Sequence, residues 1–144
     1  MSEKSTGNII RDVEMMHWKF SQDGGLRSLV AKMSPEIRKK FWEFRLAFLQ
    51  EELTELGDAS SADDAVDALI DLVVVAIGTL DAFGVGVRTA WSRVHDANMT
   101  KSVGANPTRP NEFGLPDLIK PEGWTPPNHE DNVGLIGQIY TKEM

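Results

Sequence analysis

The sequence predicts an all-α protein, a helical bundle completed by oligomerisation and followed by a long Pro/Gly-rich C-terminal arm. Three observations carry this reading. Ser34-Pro35 and Gly57 bracket one stretch of helical apolar spacing, and Ser61 with Asp64 three residues on opens a second; these are start and stop signals of helices. From Ala65 to Ile77 nearly every residue except Asp67 and Asp71 is apolar. A helix apolar on all sides must be covered on most of them, and in a chain this short a second subunit is the natural cover. From Ser102 to Asn128 the helical spacing dissolves among Pro107, Pro110, Pro116, Pro121, Pro126 and Pro127. The chain therefore divides into a helical core at 1–103 and an arm at 104–144 that packs on the core or on a partner subunit.

The totals narrow the classes of function. At 144 residues, with 41% hydrophobic and 26% charged residues, the chain suits one globular domain. A net charge of -7 argues against binding a nucleic-acid backbone. It leaves room for a single nucleotide, because a metal can bridge acidic protein and anionic phosphate. Without cysteine there is no disulfide, thiol nucleophile or Cys-based zinc site, and His17, His95 and His129 lack metal-ligand spacing. MSEKSTGNIIRD has no apolar signal-peptide core, and no apolar run approaches the roughly 18 residues of a membrane span. A cytoplasmic protein is expected, with no membrane and no nucleic-acid polymer as partner.

Taken in order, Ile9, Ile10, Val13, Met16 and Phe20 space a short amphipathic helix that the Gly24-Gly25 pair ends. His17, Trp18 and Phe20 form either a stacking wall for a base or ordinary core aromatics. The helix from Pro35 to Leu56 carries a stripe of Phe41, Phe44, Phe48, Leu49 and Leu53, with Arg38, Lys39 and Lys40 at its exposed start. Arg45 is placed to meet a phosphate or pair with an acid. A second long helix runs from about Ala62 to Phe83, and a third from about Val87 to Lys101. His95, Asn98 and Lys101 share a face of the third, where Asn98 and Lys101 either grip phosphate or sugar or form a polar helix end. KPEGWTPPN, from Lys120 to Asn128, is a rigid extended strap.

The chemistry concentrates between Leu49 and Asp71. Glu52 and Glu55 share one helix face and Asp64, Asp67 and Asp71 another, with Glu51 alongside and no basic residue between Glu51 and Asp71. If the two helices fold back on each other, about six carboxylates converge, and like charges so placed repel unless a cation sits among them. Oxygen ligands suit Mg²⁺. The alternative is a solvated acidic surface, but Asp67 and Asp71 lie in an apolar helix, where unpaired carboxylates are costly.

The order E-E-x-x-E, a short break, D-x-x-D leading into an apolar helix, then VHDANMTK and KPEGWTPPN, resembles the MazG-like all-α nucleoside triphosphate pyrophosphohydrolases. The likeness covers roughly His17 to Asn128, and its flavour is that of the short phosphoribosyl-ATP pyrophosphohydrolase-like proteins. The resemblance implies a Mg²⁺-dependent enzyme, with Mn²⁺ as an alternative ion, that splits a (deoxy)nucleoside triphosphate to monophosphate and pyrophosphate by water attack on the α-phosphorus. It implies Glu52, Glu55, Asp64 and Asp67 as metal ligands and Glu51 as the residue that orients or deprotonates the water. Asn98 and Lys101 then contact triphosphate or sugar, Lys101 offsets charge on the leaving group, and His17 and Phe20 help line the base pocket. Aspartate stands at Asp64 where the family has glutamate, which leaves Asp71 as an alternative contributor. A phosphoribosyl-ATP substrate, and a regulatory helical module that binds nucleotide without turnover, are the other readings. The enzyme is expected as a dimer or tetramer.

Overall fold

The computed structural model describes residues 3–109 and 112–141, so Pro110 and the last residues of the expected arm lie outside it. Among the described residues there are six helices and one two-stranded ribbon, and no helix is long and apolar enough to cross a membrane. The chain forms two compact units, Met1–Val87 with Val133–Met144, and Arg88–Asn132.

In the first unit, α1 spans Ile9–Trp18, with the side chain of Asn8 accepting from the Arg11 amide. The Gly24-Gly25 pair does not end it as expected, since α1 stops at Trp18 with Lys19 as its C-cap, and the pair instead opens the next helix. Both glycines have positive φ, 120° and 71°, and the chain turns there directly into α2, Gly25–Ala31. This helix was not expected; seven residues are too few for a period to show, although Leu26 and Val30, one turn apart, are both buried. α3 runs Pro35–Gly57 and α4 runs Ala62–Ala82. Their caps are those expected: Ser34 accepts from the Ile37 amide, with Pro35 in the first turn, and Ser61 accepts from the Asp64 amide. At the far end of α4, the Gly84 amide donates to the Asp81 carbonyl and the Val85 amide to that of Leu80. With Gly84 at φ 76°, this is a Schellman closure that only glycine adopts readily.

The core of this unit is Leu26, Val30, Ala82 and Phe83, packed by Met33, Phe41, Trp42, Leu135, Ile136 and Ile139. Phe83 stacks on Phe41 and meets Trp42 edge-on. The Leu135 amide donates to the Phe83 carbonyl at 2.7 Å, which fixes the approach of α6, Ile136–Ile139. Arg38, expected at an exposed helix start, is instead buried. Its guanidinium donates to the carbonyls of Val30, Ala31 and Met33 and to Gln138 Oε1, satisfying the C-terminal end of α2. The apolar stripe of α3 also differs from expectation, since Phe44 and Leu53 are exposed. So are Val66, Leu69, Ile70 and Val73 on α4, while Ala68, Val75, Gly78, Thr79, Asp81 and Ala82 are buried.

Gly78 marks where α1, α3 and α4 crowd together. A β-carbon there would stand 2.8 Å from Arg45 Nη2 and 3.1 Å from the His17 ring. Gly78→Val therefore overpacks the junction and is expected to destabilise the fold by about 1–3 kcal/mol. Urea denaturation measures this, and a variant as stable as the parent would refute it.

In the Arg88–Asn132 unit, α5 (Val87–Met99) leads into β1 (Ser102–Gly104), which pairs antiparallel with β2 (Asp117–Ile119) in the register Ser102↔Ile119. The sequence reading expected a loop here; three-residue strands are too short to show alternation. The Trp124 indole donates to the Ala97 carbonyl and Thr100 Oγ1, both at 3.0 Å, so the proline-rich strap docks on the end of α5. Arg93 holds Asp131 through Nη1 and Nη2 and also donates from Nη1 to the Asn128 carbonyl.

Candidate functional site

The four residues between α3 and α4 force the two helices into a hairpin. This brings the last turns of α3 against the first turns of α4, and with them the acids. Glu55, Asp58, Asp64 and Asp67, with Ala59 and Ala68, line a cleft of about 330 Å³. Beside it Glu52 is 8% exposed, and its Oε2 is buried without a hydrogen-bond partner. Burial pushes the Glu52 carboxyl above its ordinary value, and the charges of Glu55, Asp71 and Glu51 push in the same direction, as does a hydrogen bond with Glu55. Asp64 is held at the helix start, where Ser60 Oγ donates to its Oδ2 at 3.4 Å.

Thus Glu55, Asp64 and Asp67 share the cleft, and Glu52 faces Glu55, Asp71 and Glu51. Glu51, Glu55, Asp64 and Asp67 are exposed. Among the described residues no three acids or histidines already stand at ligating distance. The donor set nevertheless fits a hard divalent cation: every available atom is a carboxylate oxygen, and a buried carboxylate without a partner is stabilised by positive charge. Asp58 was not singled out from the sequence. It lies at the C-cap of α3, one residue past the Gly57 expected to close the helix, yet it follows Glu55 by three residues, the spacing that also pairs Glu52 with Glu55, and that spacing was the signal for it.

The remaining expected site residues lie elsewhere. His17 is buried, with Nδ1 2.7 Å from Asp81 Oδ2, while Arg27 Nη2 reaches Asp81 Oδ1 at 2.6 Å. Toward an ionised carboxylate that histidine nitrogen carries the proton. Phe20 is exposed and meets the His17 ring edge-on at 5.9 Å. Arg45 meets neither a phosphate-sized opening nor an acid. It is buried, donates to Thr79 Oγ1 and the Val75 carbonyl at 3.0 Å, and lies over the Phe48 ring; burial alone lowers its pKa. Asn98 is half-buried in the last turn of α5, and Lys101 Nζ sits 5.2 Å from the centre of the Trp124 ring. Both belong to the Arg88–Asn132 unit.

A mostly helical chain whose two longest helices form a hairpin beside a carboxylate-lined cleft falls in the class of all-α proteins. Residues 29–98, just under half of the chain, match the family model of phosphoribosyl-ATP pyrophosphohydrolase, a family of the MazG-like all-α nucleoside triphosphate pyrophosphohydrolase superfamily. The match takes in all of α3 and α4 and most of α5. It points to a pyrophosphohydrolase acting on a nucleotide. No curated protein matches the chain.

Proposed function

We propose that this protein is a cytoplasmic, Mg²⁺-dependent nucleotide pyrophosphohydrolase that converts a (deoxy)nucleoside triphosphate to its monophosphate and pyrophosphate. The observation that carries the proposal is Glu52: a buried carboxylate, one oxygen without a partner, pressed by three other acids. Such an arrangement is costly in an empty protein and favourable around a cation. Glu52, Glu55, Asp64 and Asp67 hold Mg²⁺, with Asp71 behind Glu52 and Mn²⁺ as the alternative ion. When bound, the metal neutralises phosphate charge and lowers the pKa of water.

Glu51 orients the attacking water and takes its proton. Attack at the α-phosphorus breaks the bond to the bridging oxygen, and the electron pair leaves with pyrophosphate. Lys101 offsets that charge, and Asn98 contacts phosphate or sugar. Phe20 offers an exposed ring to the base, with His17 behind it. The exposed residues Val66, Leu69, Ile70 and Val73 of α4 are the face on which a second copy packs, giving a dimer or tetramer.

The family match favours a second substrate, phosphoribosyl-ATP, which presents the same triphosphate linkage on a modified nucleotide. Measuring pyrophosphate release across the canonical and several damaged nucleoside triphosphates and phosphoribosyl-ATP, with Mg²⁺ and with Mn²⁺, tests both. Turnover of at least one, abolished by chelator, is the expected result; turnover indifferent to chelator refutes the proposal. Binding of Mg²⁺ to the folded state alone is also expected to raise stability by about 2.7 kcal/mol at a hundred times its dissociation constant. A melting temperature unchanged between chelator and saturating Mg²⁺ would count against the metal site.

A further inference from the structure

The ribbon of the Arg88–Asn132 unit pairs Ser102 with Ile119. Lys101, one residue before β1, and Lys120, one residue after β2, therefore fall at facing positions. Like charges at facing positions of an antiparallel pair repel. Here both are drawn to one ring, with Lys101 Nζ 5.2 Å and Lys120 Nζ 5.3 Å from the centre of the Trp124 indole. The attraction of an ammonium to an indole face offsets part of the repulsion.

That indole is held in place. The Trp124 amide donates to the Pro121 carbonyl at 3.0 Å, closing a turn whose third residue, Gly123, has φ 79° as a type II turn requires. Its ring nitrogen is already engaged by Ala97 and Thr100. Among the described residues neither lysine has a carboxylate within ion-pair distance. Asp117, whose carboxyl is lowered first by its hydrogen bond from Arg109 and only last by the charge of Lys101, is occupied by that arginine. The result is two ammonium groups, with no acid between them, fixed on one rigid platform.

We infer that Lys101 and Lys120, held on Trp124, form a clamp for the polyphosphate of the nucleotide, with Lys120 as a second phosphate-binding cation. The ligand class follows from the donors. Two compact ammonium charges suit an anion with several oxygens along its length, whereas a single carboxylate would satisfy only one. A nucleic-acid backbone is disfavoured by the net charge of -7. The inference rests on the reading of Lys101 as a phosphate contact and adds Lys120 and Trp124 to it.

Inorganic tripolyphosphate, titrated calorimetrically into the full chain in the presence of chelator, tests the clamp without any turnover. Saturable binding is expected, weakened at least ~10-fold in Lys120→Ala, as loss of one charge-assisted hydrogen bond implies, and restored to within about threefold in Lys120→Arg. Lys120 is exposed, so its variants should keep the parent circular dichroism. The NMR signal of the Trp124 indole, identified by its loss in Trp124→Phe, should shift on titration. Binding equally tight in Lys120→Ala, or no saturable binding by the parent, overturns the inference. Lys120-dependent binding by a chain that hydrolyses no nucleotide supports the clamp while sinking the hydrolase reading.

Discussion

Glu52→Gln is expected to lower pyrophosphate release by about 100-fold or more while raising the melting temperature. The two effects have opposite signs because one charge serves two purposes. In the metal-free fold the Glu52 carboxylate is buried, one oxygen lacks a partner, and Glu55, Asp71 and Glu51 repel it. A carboxyl whose folded pKa is raised opposes folding at pH values above its unfolded value, so removing the charge is stabilising at neutral pH. Glutamine keeps the shape and loses the charge. With Mg²⁺ present the same charge is what holds the ion, so the variant should also lose the metal-dependent rise in melting temperature. Asp67→Asn should lose activity for the same reason. Full activity in both variants would end the proposal, and a large fall in stability of Glu52→Gln would show that Glu52 is a structural acid instead.

Asp81→Ala is expected to destabilise the protein by about 3 kcal/mol at pH 7, and by progressively less as pH falls below about 4. Asp81 joins three helices, since its carboxylate on α4 accepts from His17 on α1 and Arg27 on α2. Burial pushes its pKa up, but the hydrogen bonds from His17 and Arg27, with their charges, outweigh burial and hold it below the ordinary value. For a carboxyl depressed in the folded state, the stabilisation is fully present above the unfolded pKa and is lost as pH falls through the folded one. The magnitude is set toward the low end for a buried pair because the Arg27 side chain is about half exposed. Urea denaturation of parent and variant at pH 7 and at intervals down to pH 3 provides the check. A difference in stability that does not change with pH would show that packing, rather than charge, is what Asp81 contributes.

How much of this was legible in the sequence depended on whether the signal was local. The N-terminal caps of α3 and α4 were legible, because a serine cap and its partner amide lie within three residues of each other, whereas Gly57, expected to close α3, is its last helical residue and Asp58 is the C-cap. The acidic faces were also readable, since helical spacing alone sets Glu52 with Glu55 and Asp64 with Asp67. Which of those acids is buried was not, because Glu51 and Glu52 are neighbours in sequence and only the docking of α4 distinguishes them. The burial of Arg38 and Arg45 was hidden for the same reason. Their partners are carbonyls and hydroxyls, including Val75 and Thr79 thirty or more residues from Arg45, and such groups leave no mark in a charge pattern. Asp81 was passed over as part of a helix end, yet it holds two basic residues from distant segments. The exposed side of α4 was expected to be covered, and a second copy remains the proposed cover.

The α3–α4 hairpin has unlike ends. Near Arg45, Thr79 and Gly78 it is buried, tightly packed and tied by hydrogen bonds from Arg45 and Thr79. Near Glu55 and Asp64 it is open, acidic and joined by a turn of four residues. Such a hairpin behaves as tongs riveted at one end. Adjustment to an arriving ion falls to the tips, while the rivet preserves the register that keeps the opposing acids aligned. Amide hydrogen exchange should record this as a gradient along both helices, slow at Val75 and fast at Asp64, with cation binding slowing the fast end alone.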